Sequence, residues 1–184
     1  MARVVNMTIL CQLSSAAKFN LKSLAEKCES FIYNPHVFTA VRYRNQNPRY
    51  TAALFCNGRV TLTGVKSRRE GLDSINNFCK VLEEQDMSKV RCVSFKVANH
   101  VGTFDTKQTL NLNRLYTTLR NDGCTYETEL FPGLIHPCKK LNTTITFFTS
   151  GKVNFTGFKR KHDIRAIQRE IKQIVSRYKQ TIVL

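Results

Sequence analysis

Seven cysteines are present without a single C-x-x-C pair, and the chain shows no signal-peptide pattern, no long apolar run and no low-complexity tract. Each absence removes a class of protein. Cys11, Cys28, Cys56, Cys79, Cys92, Cys124 and Cys138 are odd in number and scattered, so their spacing offers neither a zinc site nor a redox disulfide and points to a reducing, intracellular setting. Without a bilayer-length apolar stretch or a leader, neither membrane spanning nor export is expected. No nucleophile and base recur at workable spacing, and there is no glycine-rich phosphate loop or metal-ligand cluster, so the chain is read as a non-enzyme needing no cofactor. Acid is also scarce: 13 acidic residues stand against 29 lysines and arginines, a formal charge of +16. A folded chain that basic expects a polyanionic partner. With 184 residues it can bury a substantial core as one domain or two joined halves.

What the chain does have is a repeat. Residues 33–67 align without a gap on residues 126–160 at a constant offset of 93. Tyr33, Phe38, Thr51, Phe55, Gly58, Val60, Thr63, Gly64 and Lys66 recur as Tyr126, Phe131, Thr144, Phe148, Gly151, Val153, Thr156, Gly157 and Lys159, and Asn6 finds Asn99. Two copies are too few for a solenoid and imply a pseudo-symmetric duplication, with repeats at 1–92 and 93–184.

In the first copy the pattern predicts a strand over 3–13, a helix over 20–30 capped by Asn20, a turn at Tyr33–Pro35, and a strand over 37–44 that stops before Pro48. Strands at 50–55 and 59–63 flank Asn57-Gly58, a dipeptide suited to a tight hairpin. Their alternation puts Ala52, Leu54, Val60 and Leu62 on one face and Thr51, Ala53, Phe55, Thr61 and Thr63 on the other. A helix over 67–85, with Leu72, Ile75, Phe78, Cys79 and Leu82 at helical spacing, covers the first face and closes at Glu83, Glu84 and Asp86. A strand at 89–98 leads into the second copy, with a strand at 99–107, a helix at 111–120 and strands at 131–138, 143–149 and 152–156. In the last helix Ile164, Ile167, Ile171, Ile174, Val175 and Tyr178 form a core stripe, with Arg165, Arg169, Lys172, Arg177 and Lys179 around it.

Centring the first hairpin between Gln46 and Asn47 sets Phe38 opposite Phe55, and the same construction between Lys139 and Lys140 sets Phe131 opposite Phe148. Each half then carries two phenylalanines at one end of a threonine-rich sheet face that lacks a helix. Apolar wedges on such a surface suit insertion between base steps.

These residues resemble the TATA-box-binding protein core domain family over essentially the whole chain. The resemblance rests on ELFPGLI at 129–135, on F-x-S-G-K-V-x-x-T-G-x-K at 148–159 and on F-x-x-G-R-V-T-L-T-G-x-K at 55–66. It implies an α+β fold: a pseudo-two-fold saddle whose curved, ten-stranded antiparallel sheet binds double-stranded DNA in an A/T-rich minor groove, with helices on the convex face. It implies that Phe38, Phe55, Phe131 and Phe148 are wedges, that Asn6 and Asn99 donate to minor-groove acceptors, and that Thr63 and Thr156 face DNA. Wedge-driven kinking of this kind is an established example for the family. Arg42, Arg44, Arg49, Arg59, Lys66, Lys152 and Lys159 flank the sheet and would position phosphates without reading sequence.

The resemblance also implies partners. Glu127, Glu129 and Leu130 match the loop that contacts a TFIIB-like factor. Asn76, Asn77 and Glu84 replace basic residues used by a TFIIA-like factor and other regulators, so those contacts are expected to be weakened or replaced. Other departures lie on the DNA face, where Thr8, Ala53, Thr61, Thr146 and Asn154 replace apolar residues and Val101 keeps the usual type. Asn154 and Thr61 are placed to accept from a guanine amine, which relaxes the expected sequence preference. Pro137 and Leu141 stand where the family has an arginine and a proline, and His100 replaces an apolar residue as a hydrogen-bonded core histidine. From the few residues before Asn6 no activator tail is expected, and the expected location is the nucleus, or a viral transcription compartment if virus-encoded. The alternative class is a scaffold of the same shape that has lost specific DNA binding, against which the intact set of four phenylalanines argues. A saddle-shaped accessory domain of a nucleic-acid enzyme is disfavoured because no residues remain to hold an active site.

Overall fold

The computed structural model describes residues 1–14, 18–85, 90–160 and 163–180. They fall into two compact units: a contiguous one, Asn6–Ala98, and a split one, Met1–Val5 with Asn99–Leu184. Strands β1 (Arg3–Ser14) and β6 (Arg91–Asp105) each run from one unit into the other.

In the contiguous unit β1 is followed by α1 (Leu21–Lys27), β2 (Phe31–Ile32), β3 (Val41–Gln46), β4 (Arg49–Leu54), β5 (Arg59–Val65) and α2 (Arg68–Glu83), with the strands ordered β2-β3-β4-β5-β1. Asn20 caps α1, accepting from the Ser23 N–H at 3.1 Å, and Ser67 caps α2, accepting from the Glu70 N–H at 3.1 Å. The split unit holds α3 (Leu112–Leu119), β7 (Leu134–Cys138), β8 (Thr143–Phe147), β9 (Lys152–Phe158) and α4 (Asp163–Gln180), with strand order β6-β9-β8-β7. Pairing within each unit is antiparallel, and the whole is α+β.

Alternation decides which face is covered. Ala52, Leu54, Val60 and Leu62 are fully buried beneath Ile75, Phe78 and Leu82 of α2, whereas Thr51, Ala53, Thr61 and Thr63 stay half-exposed. In the split unit Ile145, Phe147, Val153 and Phe155 are buried against Leu115 of α3 and Ile167, Ile171 and Ile174 of α4. Each large apolar side chain so buried contributes roughly 1.5–3 kcal/mol.

Several expectations shift. α2 keeps Ile75, Phe78, Cys79 and Leu82 in the core, but Leu72 is exposed. Gly71 takes the inward position instead, because a Cβ there would lie 2.2 Å from Ile9 Cδ1. The carboxylate of Glu83 accepts from the Val90 N–H at 3.1 Å, while Asp86 lies outside the described residues. The two strands expected at 89–98 and 99–107 are one strand, β6, with a bulge between His100 and Val101; Lys89 is outside the described residues. The Asn57-Gly58 turn is a four-residue loop, Phe55–Gly58, in which only Gly58 has a positive φ and the Asn57 side chain accepts from the Arg59 N–H.

Nine strands are named among the described residues where ten were expected, and the tenth place holds an isolated bridge. β2 pairs Phe31 with Tyr43 and Ile32 with Arg42, but its counterpart is reduced to Thr125 opposite Ile135. The next outward-facing position of that edge strand is Pro137, which has no N–H with which to extend the ladder.

Candidate nucleic-acid interface

Hairpin register moves the phenylalanines off their expected seats. β3 pairs Val41 with Leu54 and Gln46 with Arg49, and β7 pairs Leu134 with Phe147 and Cys138 with Thr143, each centred one residue beyond the point read in the sequence, which moves every cross-strand partner by two. Phe38 and Phe131 therefore lie outside β3 and β7, just beyond the turns at 35–37 and 128–130. The rings meet all the same. Phe38 and Phe55 stand edge to face with centroids 5.9 Å apart, and Phe131 and Phe148 do so at 6.0 Å.

Matched backbone bonds hold both pairs. Phe38 N–H donates to Asn34 O and Phe131 N–H to Glu127 O, each at 2.9 Å, while Phe55 and Phe148 N–H donate to Arg59 O and Lys152 O at 2.9 and 3.0 Å. Phe38 and Phe131 keep 40% and 41% of their surface exposed, an aromatic face left unburied in each unit. Gly133, which the sequence did not single out, makes room for the second pair: a Cβ there would meet Phe131 Cε1 at 2.7 Å and Thr146 Cγ2 at 2.8 Å.

Asn6 and Asn99 make the same hydrogen bond in their two units. Asn6 Oδ1 accepts from the Gly64 N–H and Asn99 Oδ1 from the Gly157 N–H, each at 2.8 Å. Gly64 and Gly157 have φ of +95° and +100°, a left-handed conformation that turns the N–H toward the asparagine and that a side chain would strain. Because the oxygen is engaged by an obligatory donor, the amide orientation is fixed, and among the described residues neither Nδ2 has a partner.

Across the helix-free faces, cross-strand neighbours form rows. In the contiguous unit Thr51 faces Thr63 and Arg44, and Thr61 lies between Leu10 and Ala53, with Arg42 beyond Ala53. In the split unit Thr156 lies between Val101 and Thr144, and Asn154 between Thr103 and Thr146. Thr8 is half-exposed on β1, on the side opposite buried Met7 and Ile9. Arg42, Arg44, Arg49, Arg59, Lys66, Lys152 and Lys159 are all exposed. Asp105, opposite Lys152, is drawn below the usual carboxylate range by the Lys107 N–H and ammonium, the latter 3.0 Å away.

Glu127, Glu129 and Leu130 sit together on the turn that seats Phe131, and Leu130 is 81% exposed. Its repeat partner Val37, missed in the sequence, is 76% exposed on the matching turn. Asn76 and Glu84 are exposed at α2, whereas Asn77 accepts from the buried Tyr50 hydroxyl at 2.6 Å. His100 is buried, stacked on Phe158 and bonded through Nδ1 to Phe158 O, as expected of a core histidine. A second buried histidine, His136, lies 3.1 Å from the Cys124 thiol through Nδ1; burial lowers its pKa and pushes Cys124 up to about 11, so both stay neutral.

Fold and site together define a duplicated α+β protein with helix-free sheet faces, each edged by an aromatic pair. The family model described as "Transcription factor TFIID (or TATA-binding protein, TBP)" matches residues 1–85 and 94–178, and the chain belongs to that family, one of transcription factors and not of enzymes. It is 38% identical over 149 residues to mouse TATA box-binding protein-like 2, covering 81% of this chain and 42% of that protein. It is 30% identical over 173 residues to the TATA-box-binding protein of Acanthamoeba castellanii, covering 94% and 66%. The chain thus spans about half the length of the curated relatives it matches. The structure of Methanococcus jannaschii TBP aligns with a TM-score of 0.76 at 27% identity, covering 95% of this chain and 98% of that one.

Proposed function

We propose that this chain is a nuclear transcription initiation factor that binds A/T-rich duplex DNA in the minor groove, bends it, and recruits a TFIIB-like factor. The observation that carries the reading is the pair of edge-to-face phenylalanine couples beside helix-free, threonine-rich sheet faces. Phe38 and Phe131, which remain two-fifths exposed in the free protein, have apolar surface to gain from unstacked bases. Asn6 and Asn99, their oxygens occupied, present donors to a groove floor made of acceptors. Thr8, Thr61, Thr63, Val101, Asn154 and Thr156 line the faces that meet the groove, and Arg44, Arg59 and Lys152, with Arg42, Arg49, Lys66 and Lys159, meet phosphates. Glu127, Glu129 and Leu130 form the TFIIB-type contact, an apolar tip ringed by acid. A TFIIA-type contact through α2 is weakened, since Asn77 is committed to Tyr50 and Glu84 brings negative charge.

Fluorescence transfer between the ends of a TATA duplex tests the reading. Phe55→Ala or Phe131→Ala is expected to reduce the bend and weaken binding by about 1–3 kcal/mol per ring. An unchanged bend with all four phenylalanines replaced by alanine overturns it.

A further inference from the structure

The two helix-free faces are built on the same register but not from the same chemistry. Corresponding rows run Leu10, Thr61, Ala53, Arg42 in the contiguous unit and Thr103, Asn154, Thr146, Ile135 in the split unit. In the first, one hydroxyl stands between a leucine that is 44% exposed and an alanine. In the second, two hydroxyls flank an exposed amide, three hydrogen-bonding side chains on three adjacent strands. Among the described residues the Asn154 amide has no hydrogen-bond partner, so both of its ends are available to a ligand.

We propose that the split unit reads its half of the duplex tolerantly, accepting a G·C pair through Thr103, Asn154 and Thr146, while the contiguous unit demands A·T in its half. The inference rests on the minor-groove reading above. An A·T pair shows the minor groove only acceptors, and a G·C pair adds the guanine amine, a donor. Asparagine and threonine donate or accept as the partner requires, so the split unit's row satisfies either pair. Beside Leu10 and Ala53 a guanine amine loses water, and its one hydrogen not already held by cytosine can be met only by the Thr61 oxygen, so an amine lying against Leu10 or Ala53 is left unmatched. The sequence suggested that Thr61 and Asn154 relax preference alike; their cross-strand neighbours separate them. A difference between halves also gives the protein a polarity on DNA, because a site with G·C in one half is filled in one orientation.

The test uses the full chain and three duplexes of equal length in gel shift: one all A·T, one with a G·C pair in one half, and one with G·C at the symmetric step of both halves. The one-sided duplex is expected to bind within about threefold of the all-A·T duplex, and the two-sided duplex to be weaker by about tenfold or more. Thr146→Val with Asn154→Val is expected to raise the one-sided penalty, expressed as the ratio to all-A·T binding by the same variant, to about tenfold. Leu10→Thr with Ala53→Thr is expected to abolish most of the two-sided penalty. Equal, multiplicative penalties for one and two G·C steps in the native protein overturn the proposal, as does an unchanged ratio in both variants. If the all-A·T duplex is not shifted at all, the minor-groove reading itself has failed and this one with it.

Discussion

Gly133 and Phe131 show how closely single atoms govern this site. The glycine leaves a gap that the Phe131 ring, the Phe148 ring and the Thr146 methyl fill from three sides. Gly133→Ala inserts a methyl where those groups already meet, so the Phe131 ring swings away from Phe148. DNA binding is expected to weaken by on the order of 1 kcal/mol, with the bend reduced and the melting temperature nearly unchanged; fluorescence transfer and thermal denaturation read the two separately. His136 behaves differently because it is buried. Burial lowers its pKa below the ordinary 6.5, with Arg177 and Lys140 adding to the effect and Asp122 and Glu170 opposing it. A depressed histidine gives stability that is present above the unfolded pKa and is lost as pH falls toward the folded one, because the unfolded chain binds the proton first. Urea melts at pH 7.5 and 5.0 are expected to show a fall in stability that His136→Gln reduces; an identical fall in the variant contradicts this.

At the scale of elements, the turns before Phe38 and Phe131 are one device used twice with different charge. Val37 and Leu130 are both highly exposed, but Leu130 stands between Glu129 and a phenylalanine with Glu127 nearby, whereas Val37 follows Pro35 and His36. A partner with a basic rim around an apolar pocket selects the acidic turn. Leu130→Asp is expected to abolish capture of a TFIIB-like factor on DNA and Val37→Asp to leave it, as a supershift assay would read; equal loss from both substitutions refutes the assignment. These turns also mark where sequence reading stops. Strand alternation placed Ala52, Leu54, Val60 and Leu62 inside and their neighbours outside, because burial on one face imposes a period of two. Hairpin register depends on turn geometry that a dipeptide does not determine, so Phe38 and Phe131 were assigned to strands they only precede. Their rings still meet those of Phe55 and Phe148, but from the turns and not as cross-strand partners. Gly133 gave no signal, being visible only once three side chains converge on it.

For the whole molecule, the formal charge of +16 makes association with DNA a release of counterions. Each phosphate neutralised contributes about −0.9 to the slope of log affinity against log salt. Replacing Arg59 and Lys152 by glutamine is expected to flatten that slope by about 0.9 per residue that meets a phosphate, while sequence preference holds, as titrations at several salt concentrations would measure. A slope that does not move assigns those two side chains to solvent. The division of the chain carries a consequence for synthesis. The contiguous unit is complete once residue 98 has left the ribosome, whereas the split unit needs Met1–Val5 together with the residues from Asn99 onward. Domains form as units in the order they emerge. Met1–Val5, with Ala2 destined for burial and its N–H for Gln168 Oε1, therefore wait while the whole contiguous unit is made before the strands and helix that enclose them emerge. A segment made before the contiguous unit is thus seated only after it.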